Sequence, residues 1–458
     1  RSWEQVLRWQ QGLKNVVDFG EGSQEVLLRE DVPKLQRSRV NVWHDGDYQH
    51  LRLKFKRPGR LQRNHWARGA KEKVMLELRN GWLFPSGFAA NATHHFHLGA
   101  LNEINCVQSH LARLVGRGKC IKTDWTRMLV YRNADHVKDA KDTSWLVEGM
   151  PTYNFECQAL GSLISLIDTQ FADYGHFHES ILPRLLWPEV QNLWESTVLW
   201  RHKPEAEGYI RPWLDLLGLS WRSFQSIRRQ NVVFRFDRLY LPLVVGLDRA
   251  LTDQAEIASH TPQADVVRVR TATIQALASQ SPSDFDASRY VILCERSPTD
   301  RRALSSADAV RLRRAAMDFA KAASLKLVCL RGRPGGFETS EVSTRGEVSP
   351  WKPMALDAGL RAFMRARMVL GVHGSLLMHI FVAPPGTHIV DIQALHTYDL
   401  PLYHYAAVLG FHYWYHPVEG MHSSKTLPLD APRLEKLLGK VSAQLKDGGQ
   451  PGMTSGEL

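Results

Sequence analysis

The sequence lacks several features that would fix its class at once. Its 458 residues contain no apolar run near the roughly 20 residues that cross a bilayer, no internal repeat and no recognised nucleic-acid module. Only five cysteines occur, and no pair has CxxC spacing, which disfavours a zinc or thioredoxin-like site. Cys106 and Cys120 flank a short basic segment and would suit a disulfide, while the odd count leaves one thiol unpaired unless pairing is intermolecular.

The net charge is positive, but the basic residues are not concentrated in one segment. A net charge of +11 favours anionic partners such as nucleic acid, an anionic membrane or phosphate-bearing ligands. The arginines are nevertheless spread along the chain, and the densest basic cluster, residues 54–68, is typical of a solvated loop. We therefore expect no nucleic-acid partner. A hydrophobic share of 44% and a charged share of 23% are ordinary for a folded soluble protein.

The length predicts more than one domain. We predict an N-terminal domain over residues 1–250 with an irregular N-terminal extension, a C-terminal domain over 251–446, and a disordered tail over 447–458. The tail is polar and Gly-rich, which is the basis for that last assignment.

The second half alternates between two kinds of segment. Short apolar runs, typical of strands buried on both faces, alternate with segments of helical character. This alternation predicts βαβ units and a parallel sheet, and hence an α/β fold. The predicted strands are 290–294, 325–330, 368–372 and 388–392. The predicted helices run from Ser305 or Ser306 to about 323, over 356–366, over 375–382, and onward from near Asp430, where Pro432 suits a first turn.

The first half is harder to interpret. Residues 155–171 have apolar side chains at helical spacing, which predicts a helix. We expect a strand at 196–200, a short helix at 210–217 closed by Gly218, and extended structure at 232–241 broken by Pro242. Residues 332–350 are long, polar and Gly-rich, and form either a substrate-gating loop or a variable surface loop.

A turn at residues 373–375 carries the first candidate chemistry. A buried strand ends there, Gly374 follows His373, and a helix begins at about Ser375. Glycine lets the backbone approach a ligand closely, and a helix N-terminus attracts phosphate. Ser375 would cap the helix or donate to a phosphate oxygen. A plain strand-to-helix turn explains the pattern equally.

Arg296, Arg301 and Arg302 follow another predicted strand at the same sheet edge. Arginines in such a loop clamp a pyrophosphate through charge-assisted bonds. Alternatively, Glu295 and Asp300 pair with them locally. Asp391 closes a further strand and would either accept hydrogen bonds from ribose hydroxyls or make a turn.

Two groups of histidines leave alternatives open. His95 and His97 would share one face of a strand, but no acidic or Cys partner is evident, so we expect no metal. A second group either lines a sugar or base pocket by stacking or belongs to the core and rim of the last βα unit. It consists of His404, His412 and His416, interleaved with Tyr403, Tyr405, Tyr413, Trp414 and Tyr415.

Several of these motifs, in this order, resemble glycosyltransferase family 61. The resemblance rests on Glu295-Arg296 with Arg301-Arg302-Ala303-Leu304, on the segment Gly371-Val372-His373-Gly374-Ser375-Leu376-Leu377-Met378-His379, and on Ile389-Val390-Asp391-Ile392. It covers about residues 150–445. That family includes the EGF-domain O-GlcNAc transferase, the protein O-mannose β-1,4-GlcNAc transferase and the plant β-1,2-xylosyltransferases.

The resemblance implies a GT-B fold, in which two Rossmann-like domains face each other across a cleft. It implies inverting transfer of GlcNAc, xylose or arabinose from a UDP-sugar to a glycan or glycoprotein, without a required cofactor or metal. Arg296 and Arg301, with Arg302, His373, Gly374 and Ser375, would bind the donor, and Asp391 would lie near the ribose. Ser375 and Leu376 replace the family's Ala and Gly.

The N-terminal half departs from the family at the position of the expected base. Family members carry a His and, four residues on, an Asp at the start of a helix, where this chain has Asn154 and Gln158. Inverting transfer needs a base for the acceptor hydroxyl. Glu156 is our candidate, and Asp168 and His176 are nearby in sequence. The departure favours, as the alternative, an inactive relative that binds a nucleotide sugar or glycan.

The resemblance also implies a compartment. We expect the lumen of the Golgi or endoplasmic reticulum, with any signal peptide or membrane anchor upstream of Arg1. The sequon Asn91-Ala92-Thr93 permits a secretory location.

Overall fold

The structure of the protein is a computed structural model. The described residues are 24–28, 42–43, 71–83, 88–91, 94–97, 130–132, 156–166, 177–201, 204–219, 223–227, 232–246, 263–280, 289–333, 335–394, 401–420 and 425–447.

The described residues form both strands and helices. The strands are β1 (Gln24–Leu28), β2 (Val42–Trp43), β3 (Lys71–Leu83), β4 (Phe88–Asn91), β5 (His94–His97), β6 (Val130–Arg132), β7 (Glu156–Ser165), β8 (Thr197–Arg201), β9 (Phe224–Ile227), β10 (Val232–Gly246), β11 (Tyr290–Glu295), β12 (Ala303–Leu304), β13 (Lys326–Arg333), β14 (Gly336–Ser340), β15 (Lys352–Ala355), β16 (Ala366–Val372), β17 (His388–Ala394), β18 (His412–Val418) and β19 (Thr426–Leu427).

The helices are α1 (Leu182–Leu185), α2 (Pro188–Gln191), α3 (Pro204–Leu216), α4 (Gln263–Gln280), α5 (Ser306–Ala322), α6 (Leu356–Phe363), α7 (Pro401–Leu409) and α8 (Ala431–Asp447). A π-helix covers Phe177–Ile181 and a 3-10 helix covers Ser375–Val382. Within the described ranges, no helix is both long and apolar enough to cross a membrane.

The chain divides into two compact units that are not contiguous in sequence. The first unit comprises Arg1–Leu35, Arg63–Gly208 and Gly218–Val269, and the second comprises Gln36–Gln62, Tyr209–Leu217 and Arg270–Leu458. The predicted boundary at residue 250 and most of the predicted tail lie outside the described residues, so both stay predictions.

The first unit contains a mixed sheet. Its strand order is β6-β5-β4-β3-β10-β7-β8-β9, and β1 also pairs with β3. The strands β10, β7, β8 and β9 run parallel, whereas β3 pairs antiparallel with β1, β4 and β10. The expected strand at 196–200 and the helix closed by Gly218 are both present, with Gly218 at φ 66°.

The helix predicted over residues 155–171 is wrong, because its first part forms strand β7. This strand lies between β10 and β8 and is parallel to both. The residues Leu163 and Ile164 are both buried although their side chains point to opposite faces of the sheet. A strand covered on both faces does not alternate in polarity, so its apolar spacing also fits a helix.

Strand β10 continues through Pro242, where we had expected it to end. Its pairing with β7 ends at Tyr240↔Ile164, whereas its pairing with β3 continues to Gly246↔Lys71. Among the residues that the structure describes, the proline therefore lies where β10 is paired on one side only, which is where a strand tolerates the missing N–H.

The second unit confirms the predicted α/β fold with a parallel sheet. Its strand order is β15-β14-β13-β11-β16-β17-β18-β2. The strands from β13 to β2 in this order are parallel to one another, whereas β14 pairs antiparallel with β13 and β15. All four predicted strands of this half are present. Helices α5 and α8 pack on the sheet through Leu312, Ala316, Phe319, Leu434 and Leu438.

The helix ends agree with the capping chemistry. Ser305 is the N-cap of α5, and its Oγ accepts a hydrogen bond from the backbone N of Asp308 at 3.1 Å. Asp430 does the same before α8, since its Oδ1 accepts from the backbone N of Arg433 at 3.1 Å. These polar contacts explain why both starts were predictable from sequence.

The loop predicted over residues 332–350 contains sheet structure. Strand β14 pairs antiparallel with β13, and Val342 bridges to Val348 beyond it. The tip docks on α5, where Arg314 Nη2 donates to the carbonyl of Arg345 at 3.3 Å and Arg313 Nη1 to that of Gly346 at 3.4 Å. The segment is therefore a hairpin held on a helix, which does not fit a gating loop.

Candidate functional site

The carboxyl edge of the second unit's parallel sheet brings together most of the predicted donor-site residues. Strand β11 ends at Glu295 and is followed by Arg296, while β16 ends at Val372 and is followed by His373. The two strands are adjacent and parallel, so their carboxyl ends lie side by side. This edge is where ligands bind in open α/β sheets.

Arg296 joins the two turns that follow these strands. Its Nε and Nη2 donate to the carbonyl of His373 at 3.2 and 2.8 Å, and its Nη1 donates to the carbonyl of Arg301 at 2.9 Å. Three of the five N–H groups of the guanidinium thus bond the protein backbone. The predicted role of Arg296 as a diphosphate clamp needs correction, because much of its hydrogen-bonding capacity holds the two turns in place.

The Arg296 guanidinium is a partly desolvated cation. Burial, and then the nearby charges of Arg302 and Arg301, lower the pKa of Arg296 to about 10, against the opposing effect of Asp300. A pKa of about 10 keeps the group protonated at neutral pH. The three arginines therefore lie close enough to reinforce one positive potential at this edge.

Gly374 makes room for this arrangement. A Cβ at this position would lie 2.0 Å from Nη2 of Arg296 and 2.8 Å from its Cζ. The φ of Gly374 is 167°, which is extended backbone open to any residue, so space rather than conformation requires the glycine. We expected Gly374 to let the backbone approach a ligand closely, and the group that lies against it in the structure is the Arg296 side chain.

Ser375 is the first residue of the 3-10 helix that follows. The N-cap position belongs to Gly374, and no side-chain hydrogen bond caps this helix. The alternative in which Ser375 caps the helix is thus wrong, while its role as a donor to phosphate stays a prediction.

Arg301 and Arg302 differ in exposure within one tight turn. The turn is closed by Asp300, whose backbone N donates to Ser297 O at 2.9 Å and whose Oδ2 accepts from Ser297 N at 3.0 Å. Arg302 has a φ of 64°, is half-buried and follows the exposed Arg301. Arg301 is therefore the arginine of the three that is most available to a ligand.

Glu295 pairs with arginines other than those expected. It is buried and accepts two hydrogen bonds from Arg313, from Nε at 2.5 Å and from Nη2 at 2.7 Å. Arg331 Nη2 lies 3.5 Å from the same carboxylate, and the thiol of Cys329 donates to it at 3.1 Å. Local pairing of Glu295 with Arg296 or Arg301, one of our alternatives, is not what the structure shows.

Asp391 is completely buried, which corrects its expected placement beside a ribose. His373 Nδ1 lies 3.1 and 3.0 Å from its two oxygens. Tyr413 Oη donates to Oδ2 at 2.7 Å, and Gln393 Nε2 donates to the same oxygen at 2.6 Å. The carboxylate therefore orients protein side chains rather than presenting its oxygens at the sheet edge.

Sequence reasoning missed Gln393 and the contact made by Tyr413. Gln393 lies two residues after Asp391 on β17, hence on the same face of the strand, and this spacing was the one available signal. Tyr413 lies on β18, the next strand, and was considered only as a pocket or core aromatic. Its hydroxyl contact depends on sheet order, which sequence alone does not reveal.

The other aromatic and histidine residues of β18 belong to the core. Trp414 and His416 are completely buried, and Trp414 Nε1 donates to Nδ1 of His388 at 2.9 Å. The His388 and His412 rings stack with centroids 4.6 Å apart. Burial, with the charges of His412 and Arg367, lowers the pKa of His388 to about 3. Of the two alternatives, core packing is the one observed for these residues.

His379, which ends the motif that begins at His373, is enclosed by aromatic rings. The ring centroids of Phe337, Phe363 and Trp213 lie 4.9, 5.6 and 6.2 Å from its own. Its Nδ1 lies 2.8 Å from the carbonyl of Leu376, and burial lowers the pKa of His379 to about 4. The residue is thus a neutral core histidine near pH 7.

The predicted base Glu156 is placed in a strand rather than in a helix. It is the first residue of β7, which runs from Glu156 to Ser165, so it lies at the amino end of a parallel strand. Ligand sites of open α/β sheets lie at the opposite ends of the strands. Gln158 is exposed and its Oε1 accepts from Gln225 Nε2 at 3.0 Å, whereas Asn154, Asp168 and His176 lie outside the described residues.

Two further expectations concern metal binding and the cysteines. The described residues contain no cluster of three or more His, Cys, Asp or Glu side chains arranged to hold a metal. Cys294 and Cys329 are buried free thiols, and burial raises the pKa of both. The proposed disulfide between Cys106 and Cys120 lies outside the described residues.

The sequence and the structure were each compared with known proteins. No known protein family matches its sequence, and no curated protein does. Among solved structures, the iron-containing dodecameric glycosyltransferase TibC of enterotoxigenic Escherichia coli overlaps with a TM-score of 0.30, 12% identity, and coverage of 65% of this chain and 82% of that chain.

Two related structures overlap to a similar extent. TibC in complex with ADP-D-beta-D-heptose gives a TM-score of 0.31 and 10% identity, covering 82% of this chain and 94% of that chain. The E. coli heptosyltransferase WaaC with ADP gives 0.28 and 12%, covering 62% of this chain and 99% of that chain.

Proposed function

We propose that the chain is a glycosyltransferase that takes its sugar from a nucleoside diphosphate sugar. The observation that carries this proposal is the joined pair of turns at the carboxyl edge of the second unit's sheet, where Arg296 bonds the carbonyl of His373 beside the exposed Arg301. Two of the three motifs of the family resemblance, which lie 77 residues apart in sequence at Arg296 and His373, meet at this one edge.

The physical basis is electrostatic. A diphosphate carries concentrated negative charge and several acceptor oxygens, and arginine matches both its charge and its geometry. Arg301 supplies the exposed donor, while Arg296 and Arg302 add positive potential from less exposed positions. Because Arg296 already holds the two turns together, little conformational entropy should be lost by ordering these loops when the ligand binds.

The finer features rest on the resemblance to glycosyltransferase family 61. They are a UDP-sugar as donor, inverting transfer of GlcNAc, xylose or arabinose, and a glycan or glycoprotein as acceptor, on a GT-B fold in the secretory pathway. No cofactor is required in this proposal, because arginines and the helix N-terminus after Gly374 take the place of a metal at the diphosphate.

Inverting transfer needs a general base on the acceptor side. Glu156 starts β7 at the edge away from the usual ligand side. Asp168 and His176 follow the carboxyl end of the same strand in sequence, so we propose them as the candidates to test in place of Glu156. Carboxylate and imidazole are both competent to accept the acceptor's hydroxyl proton.

A second candidate function is binding of a nucleotide sugar or glycan without transfer. The observation that favours it is the presence of Asn154 and Gln158 where the family carries a His and an Asp. Neither amide is a useful base. This candidate keeps the donor site and predicts no turnover.

Thermal-shift measurements with UDP, GDP and their sugars test the donor site. UDP should stabilise the protein, and Arg301→Ala should weaken UDP binding about 10- to 100-fold, the equivalent of one charge-assisted hydrogen bond. Arg289→Ala is the matched control, since Arg289 is an exposed arginine at the amino end of the same strand. It should leave the UDP shift unchanged.

The outcomes separate the candidates. No stabilisation by any nucleotide at millimolar concentration would remove the donor-site proposal. Stabilisation without transfer or hydrolysis over a broad panel of acceptors favours the binding function. Salt-sensitive binding of DNA or RNA with no nucleotide effect points instead to the basic surface as the functional feature.

A further inference from the structure

The amino edge of the second unit's sheet, opposite the proposed donor site, also carries basic side chains. Strands β11, β13, β16, β17 and β18 all begin there, and arginine, lysine or histidine lies at or next to each start. These residues are Arg289, Lys326, Arg365, Arg367, His388 and His412. Among the described residues, no Asp or Glu lies within two positions of these strand starts. This edge therefore concentrates basic groups without a local acidic counterpart.

A β-bulge places Arg367 in this group. The pairing of β16 with β11 shifts its register between Tyr290 and Val291, which makes Arg367 the extra residue on β16. Bulges of this kind re-aim a side chain relative to the regular strand. Arg367 is half-buried, and burial followed by the positive charge of Arg289 lowers the pKa of Arg367. The two guanidinium groups therefore lie close enough to repel each other.

The described structure gives these two arginines no acceptor. Neither the Arg289 nor the Arg367 side chain makes a hydrogen bond or ion pair with any residue that the structure describes. Carbonyl groups at helix C-termini attract cations, but neither guanidinium donates to one here. Leaving the donors of a half-buried guanidinium unsatisfied costs free energy. One doubly charged anion would satisfy both groups and cancel their repulsion.

The two histidines at this edge favour an anion over a metal ion. The His388 and His412 rings stack with centroids 4.6 Å apart, and Trp414 Nε1 donates to Nδ1 of His388 at 2.9 Å. Because Nδ1 accepts this bond, the neutral His388 ring carries its hydrogen on Nε2 and keeps no lone pair for a metal ion. The positive charge of Arg367, which contributes to the low pKa of His388, also opposes a cation here.

We propose that the amino ends of β11 and β16 form a second binding site, in which Arg289 and Arg367 together bind a doubly charged tetrahedral oxyanion. The ligand is inorganic phosphate, sulfate or the phosphoryl group of a phosphomonoester, since two positive charges match one dianion. The site lies at the opposite end of the same two strands from Arg296 and His373. It does not depend on the proposed donor site.

Thermal-shift titration with inorganic phosphate and with sulfate tests the site, with chloride added to hold the ionic strength constant. At about pH 8 the phosphoryl group is a dianion. Phosphate at about ten times its dissociation constant should raise the melting temperature by roughly 3–6 °C. Arg367→Gln and Arg289→Gln should each weaken phosphate binding about 10- to 100-fold, the loss of one charge-assisted hydrogen bond.

Arg345→Gln is the matched control, because it removes an exposed arginine from the hairpin tip that docks on α5. Its phosphate shift should equal that of the wild type. Since Arg289 is the more exposed of the two arginines, Arg289→Gln keeps the inference testable if Arg367→Gln does not fold.

Inorganic phosphate also suits the proposed donor site, and Arg301→Ala separates the two. This variant should keep the phosphate shift, whereas Arg367→Gln should lose it and keep the shift caused by UDP at concentrations below the phosphate range. A phosphate shift that Arg301→Ala removes and that both amino-edge variants keep would overturn the inference.

The remaining outcomes concern the ligand. A glucose 6-phosphate shift at lower concentration than that of inorganic phosphate identifies a phosphomonoester as the ligand, and the reverse order identifies the free ion. Phosphate and sulfate that stabilise no more than chloride would overturn the inference, whether or not UDP binds. Stabilisation by Zn²⁺ that His412→Ala removes, without a phosphate effect, would also overturn it and indicate a metal site.

Discussion

Replacing Gly374 with alanine sets a methyl group against the guanidinium that joins the two turns. The added Cβ would lie 2.0 Å from Nη2 of Arg296, far inside contact distance. Since the backbone at Gly374 is extended, alanine introduces no conformational strain of its own. The cost of the change is therefore the cost of moving Arg296.

That cost follows from the hydrogen bonds of Arg296. Its Nε and Nη2 bond the carbonyl of His373 at 3.2 and 2.8 Å. Hydrogen bonds to charged groups contribute about 1.5–3 kcal/mol each. The arginine is long and flexible, so part of this loss is recovered by new contacts with water. We expect Gly374→Ala to lower the free energy of unfolding by about 2–4 kcal/mol, or the melting temperature by roughly 4–16 °C.

A double-mutant cycle isolates the reason. In an Arg296→Ala background the methyl group fits the vacated space, so Gly374→Ala should then cost close to nothing. Urea denaturation of the four proteins measures the coupling. Gly439→Ala is the control, because nothing lies within 4 Å of its added Cβ on helix α8. It should stabilise the protein by about 0.5–1 kcal/mol. A Gly374→Ala protein as stable as wild type, or an equal cost in both backgrounds, would refute the steric reasoning.

Two other predictions concern buried charge. Burial lowers the pKa of His379 to about 4 in the folded state, against about 6.5 in the unfolded state. Its contribution to stability is therefore complete above pH 6.5 and is lost as the pH falls toward 4. Urea denaturation across this range should show that the free energy of unfolding declines less steeply for His379→Phe than for the wild type. Arg313→Met leaves Glu295 with a more distant arginine at 3.5 Å and should cost about 3–5 kcal/mol. Adding Glu295→Gln should recover part of that loss, and an equal stability of the single and double variants would contradict the pairing.

The position of the site at the carboxyl edge of the sheet could be predicted from sequence, but the contacts of the side chains at that edge could not. Apolar runs ending at Glu295 and Val372 predicted strands whose carboxyl ends meet, because buried parallel strands have a strong local signature. Whether the guanidinium of Arg296 bonds a ligand or the backbone depends on the distance in space between two turns that lie 77 residues apart in sequence. Sequence carries no such distance.

The missed assignments have the same physical origin. The strand β7 was taken for a helix because the pairing that fixes it comes from residues 232–240 and 197–199, far along the chain. Tyr413 reaches Asp391 because β18 follows β17 in the sheet as well as in the sequence. Local sequence patterns predict which residues are buried. The order of the strands in the sheet decides which residues pair with them or form hydrogen bonds to them.

The edge strand β2 has a consequence for how the chain can be divided. Although Val42 and Trp43 lie near the start of the chain, they pair in parallel with Tyr413 and Trp414. Trp213 likewise belongs to the second unit and stacks on His379 with ring centroids 6.2 Å apart. A fragment beginning near residue 263 would leave β18 as an open edge and uncover the aromatic ring of His379. The second unit includes residues 36–62 and 209–217, which are synthesised before the rest of it. Expression of the second unit by itself should therefore also supply these two segments.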